Sequence, residues 1–516
     1  RGLPVGAAHG RRRDRHGRQD QDHAARPPRP AIERVQHDSR LVEPGDLFVC
    51  VPGLRVDGHD FAAAAVEAGA AALIAERGRG AALRTLGVPV VDVPSARRAL
   101  SAIAAAHEGY PSERLTVVGV TGTNGKTTTT LLIQAALEAY GESAGLISTV
   151  ETRVGATASA NPTRMSTPEA PEVQRLLADM VDAGNEYAVV EATSHGLALD
   201  RLADIAFDVA VLTNLGEDHL DFHGTVEAYA EAKLRLFQQL DAPTSKSVER
   251  RAVLNADDPA WRRFAAATRA PALTYGIDAT DADVVAGRID NVGDGSTFEL
   301  QTPDEALHAQ VRLPGRFNVS NAAAAFATSI ALGIDPWMAS VGISQCAGVP
   351  GRFERLMTTP IGVVVDYAHT GDALAKVLSL LRALTDGQLI VVFGAAGERP
   401  SERRRGMGAV AARQADYAVL TEEDPRSESP EAIIDEIARA MIAAGAEEGS
   451  RFERVPDRRE AIAKAIGMAE FGDVVLLAGK GHEPTIERAD GPHPWDDRRV
   501  AREVLMERFS DPDEWE

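Results

Sequence analysis

The feature that most constrains the fold is a glycine-rich stretch, GVTGTNGKTT, at residues 119–128. It follows an apolar, strand-like run at residues 115–120 and opens a helical segment at residues 127–140. At such a strand-to-helix turn, backbone N–H groups and the positive end of the helix bind phosphate. A strict P-loop carries glycine where Val120 stands, and here glycines at positions 119, 122 and 125 precede the Lys126-Thr127 pair instead. The stretch predicts a phosphate-binding loop, with a purely structural turn as the alternative.

Side chains that suit ATP and magnesium lie in and after this loop. Lys126 is expected to hold the β- and γ-phosphates of ATP, and Thr127 to hold Mg²⁺, as in other phosphate-binding loops. Glu191 ends a strand-like run at residues 187–190 and is a candidate magnesium ligand, because Mg²⁺ takes hard oxygen ligands together with phosphate and water. A solvated glutamate at a strand end is the alternative. His219 and His223 lie four residues apart, but without an HExxH pattern or a thiolate they do not favour a zinc enzyme.

The chain is long enough for several domains. With 516 residues, and about 100–200 residues in a usual domain, three domains are expected. Strand-like runs alternate with helical segments on both sides of a break at residues 347–351, a pattern typical of parallel α/β sheets. We therefore predict an α/β fold with a small N-terminal α/β domain, a central P-loop-type parallel-sheet ATP-binding domain and a C-terminal Rossmann-like domain. The predicted limits are a disordered basic tail at residues 1–30 and domains at residues 31–114, 115–346 and 347–516.

Composition disfavours several other classes of protein. The formal charge of -21 opposes nucleic-acid binding, since such proteins neutralise phosphates with a basic face. Cys50 and Cys346 are far apart in sequence, which argues against a disulfide framework or a thiolate zinc site and fits a reducing cytoplasm. No stretch of the sequence approaches the about 20 consecutive apolar residues of a membrane helix. We expect a cytoplasmic monomer without nucleic-acid or membrane partners.

Four motifs together resemble the Mur ligase family. They are the TGTNGKTT loop, the glutamate before Thr193-Ser194-His195, TNLGEDHLDFHG at residues 213–224, and EAYAEAKLRLF at residues 227–237. The resemblance extends from His37 to Arg502, and the chain looks most like the MurE branch, whose members add the third amino acid to the muramoyl dipeptide of peptidoglycan. Folylpolyglutamate and cyanophycin synthetases, which share the phosphate loop, and a non-catalytic nucleotide-binding protein are the alternatives.

The resemblance implies an ATP-dependent amide ligase with ATP and Mg²⁺ as cofactors. ATP would phosphorylate the D-Glu γ-carboxylate of UDP-MurNAc-L-Ala-D-Glu, and the amine of a diamino acid would then displace phosphate from the acyl-phosphate. The residues implied in catalysis and metal binding are Lys126, Glu191, His219 and Lys233, with Thr127 as a further metal ligand. Lys233 would act as a carbamate, because reaction with CO₂ replaces a repelled ammonium with an anionic oxygen ligand.

The same resemblance implies contacts for two of the three substrates. The ATP contacts are Gly122, Thr123, Asn124, Gly125, Lys126, Thr127 and Thr128 in the loop, with Asn318, Arg352, Asp366 and His369 further along the chain. The contacts of the UDP-linked substrate are Ser39, Arg40, Ser166, Thr167, Thr193 and Arg201. Ser166 stands where the family has threonine, and Leu199 where some members have glutamine.

The acceptor amino acid is implied to bind the third domain. Its implied contacts are Arg399, Glu423, Asp424, Pro425, Arg426, Gly479 and Glu483. Family members that add meso-diaminopimelate carry Asp-Asn-Pro-Arg where this chain has Glu-Asp-Pro-Arg at residues 423–426. The guanidinium fork of Arg426 suits the additional carboxylate of diaminopimelate, whereas the charge of Asp424 suits the simple amine of lysine or ornithine. Diaminopimelate is favoured, and lysine and ornithine stay as alternatives.

Overall fold

The structure, a computed structural model, describes residues 31–53, 56–161, 165–292 and 295–509. The basic tail predicted at residues 1–30 lies outside these ranges. The chain divides into two compact units, one ending at Ala96 and the other beginning at Arg97. Among the helices in the described ranges, none combines the length and the apolar character needed to cross a bilayer. The predicted limits of the three domains stay predictions.

The first unit is built on a small parallel sheet. Within residues 31–53 and 56–96 its strands are β1 Val35–Gln36, β2 Leu47–Val49, β3 Ala72–Glu76 and β4 Val90–Val93, and its helices are α1 Ala62–Glu67 and α2 Gly80–Leu83. The strands pair in the order β1-β2-β3-β4, all parallel. Phe48 and Leu73 pack against the small side chains Ala62 and Ala65 of α1, which lets this short helix approach the sheet closely.

The second unit contains a large sheet that carries the glycine-rich loop. Its strands are β5 Thr116–Thr121, β6 Ala144–Ile147, β7 Glu151–Val154, β8 Thr157–Ala160, β9 Tyr187–Glu191, β10 Val209–Leu212, β11 Arg251–Asn255, β12 Ala272–Gly276, β13 Val284–Val292, β14 Gly295–Gln301 and β15 Ala306–Val311. Within the described ranges they pair in the order β15-β14-β13-β12-β11-β10-β5-β9-β6-β7-β8.

The centre of this sheet is parallel, as predicted. Strand β5 lies between β9 and β10, so the carboxyl ends of all three strands meet at one edge, where ligands of α/β sheets bind. Antiparallel pairs extend the sheet at both margins, from β13 to β15 and from β6 to β8. The prediction did not include these margins, because segments such as β8, which is exposed at every position, show no apolar run.

Helices cover both faces of the sheet. The helices described from residue 96 to residue 345 are α3 Ala96–His107, α4 Lys126–Tyr140, α5 Ala170–Asp182, α6 Ser194–Ala198, α7 Leu220–His223, α8 Val226–Gln239, α9 Trp261–Ala265, α10 Arg316–Ala331 and α11 Pro336–Gln345. One core joins α4, α10 and α11 to the sheet, and a second core on the other face contains α5 and α8. The sheet is therefore buried on both faces, which explains the nearly continuous apolar character of its central strands.

The last third of the chain forms another sheet of the second unit, which has fewer strands than the large sheet and is called the smaller sheet below. Its strands are β16 Glu354–Met357, β17 Gly362–Asp366, β18 Leu389–Phe393, β19 Tyr417–Leu420, β20 Phe452–Arg454 and β21 Val474–Ala478. They are followed by the hairpin strands β22 Thr485–Arg488 and β23 Gly491–Pro494, and the helices are α12 Gly371–Leu384, α13 Ser401–Gln414, α14 Pro430–Ala443, α15 Arg458–Met468 and α16 Asp497–Arg508. The described strands pair in the order β16-β17-β21-β18-β19-β20, parallel apart from β16 with β17.

Candidate active site

The glycine-rich loop connects β5 to α4 and needs glycine at two positions. Gly122 has φ +148° and Gly125 has φ +85°, in a region of backbone conformation that side chains disfavour. A Cβ atom at Gly122 would lie 1.8 Å from Thr213 Oγ1, and one at Gly125 would lie 2.2 Å from Asn321 Oδ1. At Gly122 and Gly125 the loop therefore packs so closely against Thr213, after β10, and against Asn321 of α10 that neither position has room for a side chain.

Asn214, in the segment after β10, holds the backbone of this loop. The N–H of Thr123 donates to the carbonyl of Asn214 over 2.8 Å, and the N–H of Asn124 donates to Asn214 Oδ1 over 3.0 Å. In return, Asn214 Nδ2 donates to the carbonyl of Asn124 over 2.9 Å. The first N–H groups of α4, which follow directly, have no partner inside the helix and are the ones available to an anion.

Two lysines converge on one carbonyl oxygen of the loop. Lys126 Nζ donates to the carbonyls of Gly122 and Thr123 over 3.0 and 2.9 Å, and Lys233 Nζ donates to the carbonyl of Gly122 over 2.7 Å. Lys233 is fully buried and its ammonium lies 4.5 Å from the ring centre of Tyr229. Burial, and then the neighbouring Lys126, hold the pKa of Lys233 well below its usual value. Burial also lowers the pKa of Lys126. The charged forms of the two lysines disfavour each other in this buried position, and an anion bound beside them would stabilise positive charge here.

Glu191 is the acidic centre of the same edge. Its Oε2 accepts three hydrogen bonds, from Thr127 Oγ1 over 3.0 Å, from the N–H of Thr149 over 3.0 Å and from Thr149 Oγ1 over 2.9 Å. It is buried, so it is not the solvated strand-end glutamate of the alternative interpretation. The prediction did not include Thr149, because it lies in the loop after β6 and has no chemical signal in the sequence.

The residues predicted to contact the UDP-linked substrate in the second unit lie beside Glu191. The hydroxyls of Ser166 and Thr149 are 2.6 Å apart, and Thr167 Oγ1 donates to the carbonyl of Glu191 over 2.8 Å. Thr193 caps α6, with its hydroxyl 3.0 Å from that of Thr167. Arg201 donates to the carbonyl of Thr167 over 3.0 Å. This network shapes a polar wall next to the acid.

The other two predicted residues of this substrate lie in the first unit. Ser39 and Arg40 belong to a 3-10 turn, Ser39–Leu41, which the side chain of Asp38 caps. The side chain of Arg40 is 85% exposed and ion-paired with Asp38. Such an exposed arginine is accessible to an anionic ligand.

Histidines form a further wall next to the loop. His219 has φ +53° and precedes α7, with its ring 4.6 Å from that of His195 and its Nε2 3.4 Å from Asp218 Oδ2. Burial lowers the pKa of His219 to about 4, so its ring is neutral at pH 7. Asp218 also pairs with Arg403 of α13 over 3.2 Å, which ties this wall to the smaller sheet. His223 is not a simple surface histidine, since its ring packs 5.3 Å from that of Tyr229.

Three predicted ATP contacts lie around the end of β17. Asp366 accepts from the N–H groups of Phe353 and Ala368 over 2.7 Å each, and burial raises its pKa. The guanidinium of Arg352 lies 4.4 Å from the ring centre of Tyr367. The ring of His369 approaches the carbonyl of Tyr367 with Nδ1 at 2.7 Å, and burial lowers its pKa to about 4.

These residues face each other across a cleft of ≈ 840 Å³ between the large sheet and the smaller one. The predicted residues that line it are Thr123, Asn124, Gly125, Lys126, Thr127, Thr128, Ser166, Glu191, Thr193, His219, Lys233, Arg352, Asp366 and His369. Asn318 does not line it, because its amide is buried in α10 and donates to the carbonyl of Pro314 over 2.9 Å. The cleft is large enough for a nucleoside triphosphate.

Six of the seven predicted acceptor residues, all except Arg399, follow β19 or β21 and lie outside the lining of the cleft. Glu423 and Asp424 are buried, and Gly479, with φ +106°, lets its backbone approach Glu423, where a Cβ would lie 2.8 Å from Oε2. Arg426 has φ +56° and donates to the carbonyl of Gly397 over 3.3 Å. Glu483 accepts from the hydroxyl of Tyr367 over 3.0 Å, which connects this group to the wall of the cleft.

The structure also gives the protein neighbours of Arg399 and Pro425, whose roles as acceptor contacts stay predictions. Arg399 pairs with Asp221 over 3.1 Å, next to the histidine wall. The carbonyl of Pro425 lies against Gly397, where a Cβ would come within 2.0 Å of it. Lys480, which the sequence analysis did not single out, is fully buried among the acceptor residues and pairs with Asp424 over 2.7 Å.

Comparison with known proteins agrees with this architecture. Three family models match: "Mur ligase family, catalytic domain" at residues 31–108, "Mur ligase middle domain" at residues 120–329 and "Mur ligase, glutamate ligase domain" at residues 351–481. UDP-N-acetylmuramyl-tripeptide synthetase of Roseiflexus sp. is 47% identical over 494 residues, 93% of this chain and 96% of that protein. UDP-N-acetylmuramoyl-L-alanyl-D-glutamate--2,6-diaminopimelate ligase of Bacillus velezensis is 42% identical, over 93% of this chain and 95% of that protein.

Solved structures share the fold. A structure of UDP-N-acetylmuramoyl-L-alanyl-D-glutamate--2,6-diaminopimelate ligase is 32% identical, with a TM-score of 0.64 over 94% of this chain and 97% of that one. The MurF ligase of Thermotoga maritima in complex with ADP, at 24% identity, has a TM-score of 0.61 over 92% of this chain and 98% of that one. The predicted three-domain α/β architecture is confirmed, and the chain belongs to the Mur ligase family.

Proposed function

We propose that this chain is an ATP-dependent amide ligase of peptidoglycan precursor synthesis, which adds a diamino acid to UDP-MurNAc-L-Ala-D-Glu through an acyl-phosphate. The observation that carries the proposal is the hydrogen bond between Thr127 and Glu191, which joins the phosphate loop to a buried carboxylate in one cleft. The relatives from Roseiflexus and Bacillus velezensis, named for tripeptide synthesis and for ligation of diaminopimelate, support the substrates.

The phosphate loop would hold the triphosphate. The free N–H groups at the start of α4 and the ammonium of Lys126 present positive charge where the β- and γ-phosphates would lie. A carboxylate is a poor electrophile, so phosphoryl transfer to the D-Glu γ-carboxylate must precede attack by the amine. The protein contributes mainly positioning and neutralisation of charge to such a transfer.

The residues present suit Mg²⁺. Glu191 and Thr127 offer the hard oxygen atoms that Mg²⁺ prefers, and His219 is neutral at pH 7 and so does not repel a cation. Mg²⁺ supplies charge neutralisation on the phosphate oxygens when it is bound. The described residues contain no cluster of three or more His, Cys, Asp or Glu side chains suited to a metal, so phosphate, water and a modified Lys233 would supply the other ligands.

Lys233 fits this site only after modification. As an ammonium it would repel both Mg²⁺ and Lys126, whereas its depressed pKa favours the neutral amine, which is the form that combines with CO₂. The resulting carbamate carries anionic oxygen atoms at the floor of the cleft. We therefore assign Lys233 the role of a carbamoylated ligand.

Diaminopimelate is the favoured acceptor. The guanidinium fork of Arg426 matches the carboxylate that distinguishes diaminopimelate from lysine and ornithine. The charge of Asp424, which pointed to a simple amine, is offset by Lys480 at 2.7 Å. This ion pair removes the main argument for lysine or ornithine, which remain the alternatives.

We further infer that the protein works in the cytoplasm as a monomer, without a membrane or nucleic-acid partner. Both cysteines are free thiols and Cys50 is buried, which fits a reducing compartment. The formal charge of -21 supports the exclusion of nucleic acid.

The test is release of phosphate from ATP in the presence of UDP-MurNAc-L-Ala-D-Glu and, in turn, diaminopimelate, L-lysine and L-ornithine. We expect release that needs both the UDP-linked dipeptide and an amino acid, and that is fastest with diaminopimelate. Lys126→Met, which removes the loop ammonium, is the matched inactive control. Absence of release with every acceptor contradicts the proposal. ATP turnover that ignores the UDP-linked dipeptide would favour a nucleotide-binding protein of another kind.

A further inference from the structure

A buried lysine lies at the centre of the acceptor residues. Lys480 follows β21 and is fully buried. Its Nζ donates to Asp424 Oδ1 over 2.7 Å and to Glu483 Oε2 over 2.5 Å. Burial alone would lower the pKa of Lys480, but the carboxylates of Glu483 and Asp424 outweigh burial and raise it, so the side chain is an ammonium at pH 7. A buried charge is retained at such a position only with close partners of opposite sign.

Three acids lie near the ammonium of Lys480, and they differ in whether they accept a hydrogen bond. Asp424 Oδ1 is engaged by Lys480 and by the N–H of Glu487 at 2.8 Å. Glu483 is engaged at both oxygens, by Lys480 at Oε2 and by the hydroxyl of Tyr367 at Oε1. In contrast, Glu423 Oε2 is buried and accepts a hydrogen bond from none of the described residues. Glu423 is therefore the acid that still lacks a donor, whereas Asp424 and Glu483 share the ammonium of Lys480.

The same ammonium joins two chain segments that approach from different strands. Asp424 belongs to the segment after β19, and Glu483 to the segment after β21. Strands β19 and β21 are not neighbours, because β18 lies between them. Without a cation between them, the buried carboxylate of Asp424 and the partly buried carboxylate of Glu483 would repel each other, and the segments would separate or take up protons. Lys480 fixes their spacing.

We propose that Lys480 is a positioning residue of the acceptor site, which ties Asp424 to Glu483 and leaves Glu423 as the acid that receives an ammonium group of the diamino acid. This inference rests on the proposed function, since it concerns the acceptor of that ligase. Lys480 itself touches protein carboxylates and need not touch the acceptor. It determines specificity because it sets how much negative charge the acceptor meets.

The first test is Lys480→Met, which removes the ammonium and keeps a side chain of similar length. We expect KM for the diamino acid to rise roughly tenfold or more, because two carboxylates lose a charge-assisted hydrogen bond. KM for ATP and KM for the UDP-linked dipeptide should stay within about twofold, since their predicted contacts do not touch Lys480. A merely structural role would change kcat or all three KM values together. If Lys480→Met does not fold, Lys480→Gln replaces it, with the same expected division of KM values.

The matched control is Lys246→Met. Lys246 is also a buried lysine with an acidic partner, Asp208, but it donates to the carbonyls of Leu115 and Ala206 at the amino ends of β5 and β10. Loss of this ion pair should lower the free energy of unfolding and leave KM for the diamino acid unchanged. An equal rise of that KM in both variants contradicts the positioning role of Lys480.

The second test restores the charge balance. In the double variant Lys480→Met with Asp424→Asn, the side chain at 424 is neutral and brings an amide donor for Glu483. We expect KM for the diamino acid to return to within about threefold of the wild-type value, because Glu483 has a donor again and Glu423 is once more the acid that lacks one. A double variant as weak as Lys480→Met overturns the inference. If wild-type protein uses no diamino acid, the proposed function fails; if it uses one and Lys480→Met keeps the wild-type KM, only the role of Lys480 fails.

Discussion

Thr127 donates its hydroxyl hydrogen to Glu191 across 3.0 Å, which joins the first turn of α4 to the carboxyl end of β9. The contact places an acid directly beside the phosphate loop, although the two residues are 64 positions apart in sequence. It also holds together the two side chains that would bind Mg²⁺. The first prediction therefore concerns Glu191.

Glu191→Gln should abolish most phosphate release. The amide keeps the size of the side chain but removes the negative charge, and we expect kcat to fall on the order of a hundredfold or more. Glu186→Gln, at the exposed end that precedes the same strand, is the matched control and should keep wild-type kcat. Steady-state phosphate release at saturating substrates measures both variants. Wild-type kcat in Glu191→Gln would show that Glu191 only supports Thr127 and Thr149.

Lys233 should carry CO₂. Its amine is buried and its pKa is held well below the usual value, which favours the neutral form that reacts with CO₂. We expect activity to fall when the buffer is depleted of CO₂ and to return when bicarbonate is added. Carbon-13 bicarbonate should give one carbamate signal by NMR, which Lys233→Met removes and Lys246→Met keeps. Full activity after complete depletion of CO₂ contradicts the assignment.

Arg426→Ala should select against diaminopimelate. The guanidinium donates one long bond, of 3.3 Å, to the carbonyl of Gly397, and the fork has further N–H groups for a carboxylate. We expect kcat/KM for diaminopimelate to fall, with a loss of about 1.5–3 kcal/mol of transition-state stabilisation. The kcat/KM for lysine should fall less. Arg405→Ala, which removes an exposed arginine paired with Glu402, is the control. An equal loss for lysine would mean that Arg426 only supports Gly397.

The acceptor step should depend on pH through Glu423. Burial raises the pKa of Glu423 to about 7, reinforced by Glu483 and Asp424 and opposed by Lys480 and Arg458. The side chain is therefore protonated below about pH 7 and anionic above it, and only the anion pairs with an ammonium. We expect kcat/KM for the diamino acid to rise as the pH passes upward through this value. Glu423→Gln should remove that rise, and a rise that persists would assign it to another group.

Arg458 should hold the third domain together. It is fully buried, pairs with Asp497 through two bonds of 2.8 and 2.6 Å, and donates to the carbonyls of Glu422 and Ala478. Arg458→Met leaves Asp497 buried without its cation, and we expect the free energy of unfolding to fall by about 3–5 kcal/mol. The neighbouring Arg459→Met breaks an exposed pair with Glu503 and should leave the free energy of unfolding nearly unchanged. Urea unfolding followed by circular dichroism measures both, and equal losses would contradict this distinction.

Much of the fold followed from the sequence because its central strands are buried on both faces. The strand-like run predicted at residues 187–190 lies within β9, and α4 begins one residue before its predicted start. The antiparallel margins did not follow, since strands such as β8 depend on pairing with neighbours rather than on an apolar pattern of their own.

Less of the candidate site could be predicted from the sequence. Glu191 and Lys126 were predictable, because an acid at a strand end and a lysine after glycines have recognisable chemistry. Thr149 and Lys480 were not, because a threonine in a loop and a lysine near the end of the chain acquire their meaning only from partners distant in sequence, Glu191 and Asp424. Burial of a lysine is likewise a property of the fold, since isolated lysines favour solvent.

The hydrogen bonds between Asn214 and the phosphate loop affect the entropy change on nucleotide binding. Since the N–H groups of Thr123 and Asn124 are already bonded to Asn214, the loop has little conformational entropy left to lose when phosphate arrives. Affinity for the nucleotide then depends mainly on the groups that meet the phosphates. Asn214 thus keeps the loop preorganised for its ligand.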